Sequence, residues 1–179
     1  MQGIELKRFA GIIAAGTLGI GPAAAHDIES HGDFLYETMP FFAPVYSALI
    51  GDYDQLEEYA AAYMLATAAT VSLKSLTHKE RPDGSNFRSF PSGHTKAAFV
   101  SAAYLHRRYG WETAWPAYLA AGYVGYTRVH SKKHYPIDVL AGAGIAIGTV
   151  FALVEPGENF TFLPNISTKE IGFSVKYKF

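Results

Sequence analysis

The sequence predicts an all-α domain, a helical bundle with a short β-hairpin at its C-terminus. Three observations carry that expectation. Alanine- and leucine-rich stretches of 16 to 23 residues recur between short Gly/Pro breaks. The ends of these stretches carry helix-capping residues. Strict two-residue alternation appears only in the last 20 or so residues.

The first element is read at Asp33–Ile50, aromatic and apolar, and expected to be a broken helix because Pro40 and Pro44 interrupt it. Gln55–Thr77 follows, with Glu57 and Glu58 near its positive end. Arg81–Ser92 holds two prolines, a glycine, an asparagine and serines, and reads as a loop. Gly93–Arg108 is opened by Ser92 as N-cap and closed by Arg107 and Arg108. After Gly110, a helix is expected from Glu112 to about Thr127, and a last one over Tyr135–Val154, with Pro136 in its first turn. In the tail, Ile171, Phe173, Val175, Tyr177 and Phe179 alternate with Gly172, Ser174, Lys176 and Lys178. Phe160–Leu163 is their expected partner, and the hairpin is expected to cover part of the helical domain.

The N-terminus reads as a signal peptide. Lys7 and Arg8 precede an uncharged apolar stretch, Phe9–Gly21, and Ala23, Ala24 and Ala25 then lead to His26. The expected organisation is a signal peptide over 1–25, a helical domain over 26–158 and the hairpin over 159–179. An uncleaved anchor is the alternative for the first segment. Either places the rest across a membrane, in the periplasm. After residue 25 no apolar run is read as reaching the roughly 20 residues of a spanning helix, so a soluble or membrane-surface domain is expected.

Composition narrows the chemistry. The 179 residues suit one domain. The formal net charge of −1 gives no basic excess for nucleic acid. With no cysteine, disulfides, thiolate-bound zinc and a thiol nucleophile are excluded.

Three polar clusters stand out at the expected helix ends. They are Lys74-x6-Arg81-Pro82, Pro91-Ser92-Gly93-His94 and Arg128-x5-His134-x3-Asp138. Taken singly, each has a bland reading: a solvated helix end, an N-cap, or a face of His130, His134 and Asp138 able to bind a metal. Together they supply what phosphoryl transfer needs. The transferring group spreads charge over three oxygens, so placed cations and donors do most of the work. Lys74, Arg81 and Arg128 are the cations, and arginine contacts phosphate bidentately. Ser92 offers a hydroxyl, and Gly93 an N–H at a helix N-terminus. Asp138 is expected one helical turn from His134, fixing its tautomer so that a ring nitrogen can attack. His94 is left to protonate the leaving oxygen and later to take a proton from water. No cofactor and no metal are called for in this scheme.

This order and spacing resembles the signature of the superfamily of type 2 phosphatidic acid phosphatases, class A bacterial acid phosphatases and vanadium haloperoxidases. The resemblance covers about residues 55–154, with Thr127 standing where the family usually has serine. It implies a bundle with the active site at one end, a phosphohistidine on His134, an acid–base role for His94 and no metal. The expected function is hydrolysis of phosphomonoesters or lipid-linked (pyro)phosphates. The expected partner is a phosphorylated small molecule or lipid, with contact to a membrane surface and no nucleic acid. The rivals are a vanadate-dependent haloperoxidase and a metal-binding or outer-membrane-associated structural protein. Oligomeric state is not read from the sequence.

Overall fold

The structure is a computed structural model that describes residues 28–53, 55–157, 160–166 and 171–177, the last two as backbone only. The expected signal segment lies outside the described residues. Five helices follow in order: α1 (Ile28–Ile50), α2 (Leu56–Thr77), α3 (Gly93–Tyr109), α4 (Trp111–His130) and α5 (Pro136–Leu153). The backbone of β1 (Phe160–Ile166) and β2 (Ile171–Tyr177) pairs antiparallel, Phe160 opposite Tyr177 and Ile166 opposite Ile171.

Helix α3 is the centre, packed by α1, α2, α4 and α5. From Thr95 to Leu105 every residue except Phe99 is buried, and four of them are alanine. A helix buried on all sides needs small residues, because neighbours press on it from every direction. Glycine does the same on the partner helices. A Cβ on Gly142 of α5 would stand 2.5 Å from the Ser92 carbonyl oxygen, so that position tolerates no side chain. A Cβ on Gly32 of α1 would overlap the Thr127 hydroxyl of α4.

Helix α1 is continuous where a break was expected, and it begins five residues earlier, at Ile28. Pro44 has no N–H to give the carbonyl four residues back, which orphans Pro40 O. The buried hydroxyl of Tyr59 on α2 donates to that carbonyl at 2.5 Å. A tertiary hydrogen bond thus satisfies the group that would otherwise have disfavoured the helix. Helix α4 also outruns its expected end, passing Pro116 and taking in Arg128 and His130.

The outside of the bundle is less polar than expected. Phe41, Leu49, Met64, Leu76, Leu119 and Leu140 are all exposed. Helix α5 is long and apolar enough to cross a membrane, with mean hydropathy 1.8 over 18 residues, of which 22% are buried. This corrects the expectation that no segment after residue 25 qualifies. Glycine and alanine between the large apolar residues hide such a segment from a search for unbroken hydrophobic runs.

Candidate active site

Successive helices run up and down, so the C-termini of α2 and α4 meet the N-termini of α1, α3 and α5 at one end. All three polar clusters sit there.

The third cluster owes its spacing to a turn. The Arg128 carbonyl accepts the N–H groups of both Lys133 (3.0 Å) and His134 (3.1 Å), folding the chain back as α4 ends. His134 therefore precedes α5 rather than lying on it. Tyr135 is the N-cap and Pro136 opens the helix. Asp138 is in the first turn, where its Oδ2 accepts the Tyr135 N–H at 2.9 Å.

That placement changes the expected His134–Asp138 relation. The two are not one helical turn apart on a face. His134 Nδ1 lies 3.7 Å from Asp138 Oδ2, beyond hydrogen-bond range. The carboxylate is engaged elsewhere. Lys79 Nζ donates to its Oδ1 at 2.6 Å, and Ser89 Oγ donates to its Oδ2 at 2.5 Å. Lys79 also stands 4.3 Å from the centroid of the Tyr135 ring. Neither Lys79 nor Ser89 was read from the sequence as part of the site. Lys79 lies inside the Lys74–Arg81 spacing, and that position is the one signal in the sequence that could have found it.

The second cluster is bound to the third by the Ser92 N–H, which donates to the Asp138 carbonyl at 2.8 Å. Ser92 Oγ accepts from the Thr95 N–H (3.3 Å) and from Thr95 Oγ1 (2.9 Å). The cap is thus made as expected, and the Ser92 O–H keeps its own proton to donate. Gly93, in the first turn of α3, has an N–H without an intrahelical partner. Lys74 comes to this helix start, its Cε 4.0 Å from where a Gly93 Cβ would be. Lys74 Nζ donates to the Arg88 carbonyl at 2.8 Å. The Arg81 guanidinium has a buried Nε with no hydrogen-bond partner, and His134 Nδ1 is buried and likewise unpartnered.

Helix α1 supplies residues that the three clusters do not include. Asp33 Oδ1 lies 2.8 Å from Arg128 Nη1 and 3.2 Å from His94 Nε2. Arg128 Nη2 donates to the Glu29 carbonyl at 2.9 Å. The Tyr36 and His94 rings are in tilted contact, with centroids 4.1 Å apart and an angle of 40° between their planes. Lys133 pairs with Asp83 (3.1 Å) and Glu29 (3.5 Å), joining the α4–α5 turn to the α2–α3 loop and to α1.

Electrostatically the site is short of negative charge. Burial, Lys74 and Arg81 lower the His134 pKa to about 3. Burial, then Arg128, lowers His94 to about 4 against the opposing pull of Asp33. Burial, then Arg81 and Arg88, lowers Lys74 to about 8. Both histidines favour the neutral form, because each is buried among cations. An arriving dianion would push both the other way.

The metal-site reading finds no donor set. His130 lies in tilted ring contact with Tyr126, and no three His, Asp or Glu side chains come together as ligands among the described residues.

A bundle whose helix ends gather these clusters defines a class, and comparison agrees. The sequence profile of the PAP2 superfamily matches residues 10–159, and the chain belongs to that superfamily. Over 70 residues, 37% of this chain, it is 40% identical to a lipid A 1-phosphatase of Porphyromonas gingivalis, and spans 16% of that relative's length. The fold is similar to the crystal structure of Aquifex aeolicus LpxE. That match has a TM-score of 0.60 at 23% identity and covers 80% of this chain and 92% of the other.

Proposed function

We propose that this chain is a phosphatase that hydrolyses lipid-linked phosphates through a phosphohistidine on His134. One observation carries the reading. Lys74, Arg81 and Arg128 converge with the α3 N-terminus on one end of the bundle, where the buried Arg81 Nε lacks a hydrogen-bond partner. A phosphate group supplies the charge and acceptors this end lacks. The lipid A 1-phosphatase relative supports a lipid phosphate as substrate, and so does the apolar exterior around α5.

In the first step a neutral His134 ring nitrogen bonds to phosphorus while the bond from phosphorus to the leaving oxygen breaks. His94 gives that oxygen a proton. Substrate charge, next to both histidines, raises the proton affinity that burial had lowered, so His94 is charged when the phosphate is bound. In the second step His94 takes a proton from water, the water oxygen bonds to phosphorus, and the N–P bond breaks. Lys74, Arg81, Arg128, the Ser92 hydroxyl and the Gly93 N–H hold the equatorial oxygens throughout. The three cations make the scheme independent of a metal.

The organisation we favour is an exported segment over 1–25, the catalytic helical domain over 26–158, and a hairpin over 159–179 that covers part of it. Export to the periplasm rests on the basic, apolar, alanine order before His26. The exposed apolar side chains suit contact with acyl chains, and Phe87 and Tyr135, both exposed beside the site, suit its entrance.

Phosphate release from a panel of lipid and soluble phosphates, by the wild type and by His134→Ala, tests the reading. Release from lipid phosphates by the wild type alone supports it. Equal release by the variant, or release from none, overturns it.

A further inference from the structure

Helix α1 lies outside all three clusters, yet it places one carboxylate oxygen against two of their members. Asp33 Oδ1 is within 2.8 Å of Arg128 Nη1 and 3.2 Å of His94 Nε2. Three residues on and on the same face of α1, Tyr36 backs the His94 ring. The imidazole is thus held at Nε2 by Asp33 and by tilted ring contact with Tyr36. Gly32 brings α1 this near, since a Cβ there would meet the Thr127 hydroxyl and stand 3.0 Å from Arg128 Nη2.

We propose that Asp33 is a positioning residue for His94, holding its ring and retaining its proton until the leaving oxygen takes it. The proposal rests on the phosphatase reading above. The charged and titratable groups that bear on His94 are Asp33 and Tyr36 from α1, Arg128 from α4 and Arg81 from the α2–α3 loop. The two arginines both drive the proton off. Asp33 is the carboxylate that opposes them, through charge and a hydrogen bond. A general acid that must be protonated to act needs such a group, because burial among arginines otherwise leaves it neutral and unable to donate. Asp33 itself is half-exposed, so solvent screens part of its effect. It changes no bond in the reaction. The proton passes from the His94 ring nitrogen to the leaving oxygen and is replaced from water.

The test uses the full chain with Asp33→Asn and Asp33→Glu. His94 is titrated by NMR of its ring protons, assigned with His94→Gln. Its midpoint should fall by about one pH unit in Asp33→Asn and recover in part in Asp33→Glu. In turnover, kcat for an alkyl phosphate should drop about tenfold in Asp33→Asn, and its alkaline limb should move to lower pH. An aryl phosphate with a good leaving group should change little. An unmoved His94 midpoint overturns the proposal. So does a lower KM at unchanged kcat, which would make Asp33 merely an anion that substrate displaces. If the wild type turns over no phosphate ester, the phosphatase reading fails, and the His94 titration still decides what Asp33 does.

Discussion

Asp138 lies four residues after His134 and is buried beside it, but gives its carboxylate to Lys79, Ser89 and the Tyr135 N–H, leaving His134 Nδ1 3.7 Å away. These contacts tie together three parts of the fold. Asp138 caps α5, anchors the α2–α3 loop through Ser89 and Lys79, and reaches α3 through its carbonyl and the Ser92 N–H.

Asp138→Asn should therefore cost stability as well as turnover. The amide nitrogen can point a donor at Lys79 or Ser89 where an acceptor is required, and leaving the buried Ser89 hydroxyl unmet costs about 1–3 kcal/mol. A thermal midpoint several degrees below wild type checks this. An unchanged midpoint with lost activity would show that Asp138 serves His134 alone.

The two histidines should separate by substrate. His134→Ala should abolish turnover and capture of labelled phosphate. His94→Ala should lose about 10²- to 10⁴-fold on alkyl phosphates and far less on aryl phosphates, whose leaving groups depart with little proton donation. Acid-labile, base-stable label recovered on His94, or persisting in His134→Ala, would reverse the assignment. Orthovanadate, as a five-coordinate mimic, should inhibit.

Acid should destabilise the empty protein through His134. Its folded pKa is lowered to about 3, against about 6.5 in an unfolded chain. Between these values the unfolded chain binds a proton that the fold refuses, so stability present above pH 6.5 falls as pH drops toward 3. His94, lowered to about 4, adds to the same slope. Thermal midpoints from pH 7 to pH 4 should fall less steeply in His134→Gln than in wild type, and added orthovanadate should flatten the wild-type slope. Parallel slopes with and without His134 would contradict the placement.

Glycines of α5 should respond with opposite signs. Gly142→Ala sets a methyl 2.5 Å from the Ser92 carbonyl, a backbone atom that cannot yield. It should cost about 1–3 kcal/mol and disturb the start of α3. Gly144→Ala and Gly148→Ala meet nothing within 4 Å, and should gain up to about 1 kcal/mol from helix propensity. Denaturant midpoints of the three variants read this directly. A stabilising Gly142→Ala would refute the close α3–α5 approach.

The sequence by itself determined the helices, their order and the three polar clusters at their ends. Ser92, Gly110 and Pro136 act locally, through hydrogen bonds and dihedral angles within a few residues, so they could be read without a fold. The three clusters were legible because their residue types recur in order at helix ends. The tertiary structure decided the rest. Helix α1 runs unbroken through Pro44 because Tyr59, on another helix, satisfies the orphaned Pro40 carbonyl. His134 left the helix face because the Arg128 carbonyl folds the turn. Asp33 is 61 residues from His94 in sequence, and no spacing links them. They meet because Gly32 lets α1 close on Thr127 and Arg128. Contacts between helices distant in sequence depend on which faces pack and how closely, and only the assembled bundle sets those distances.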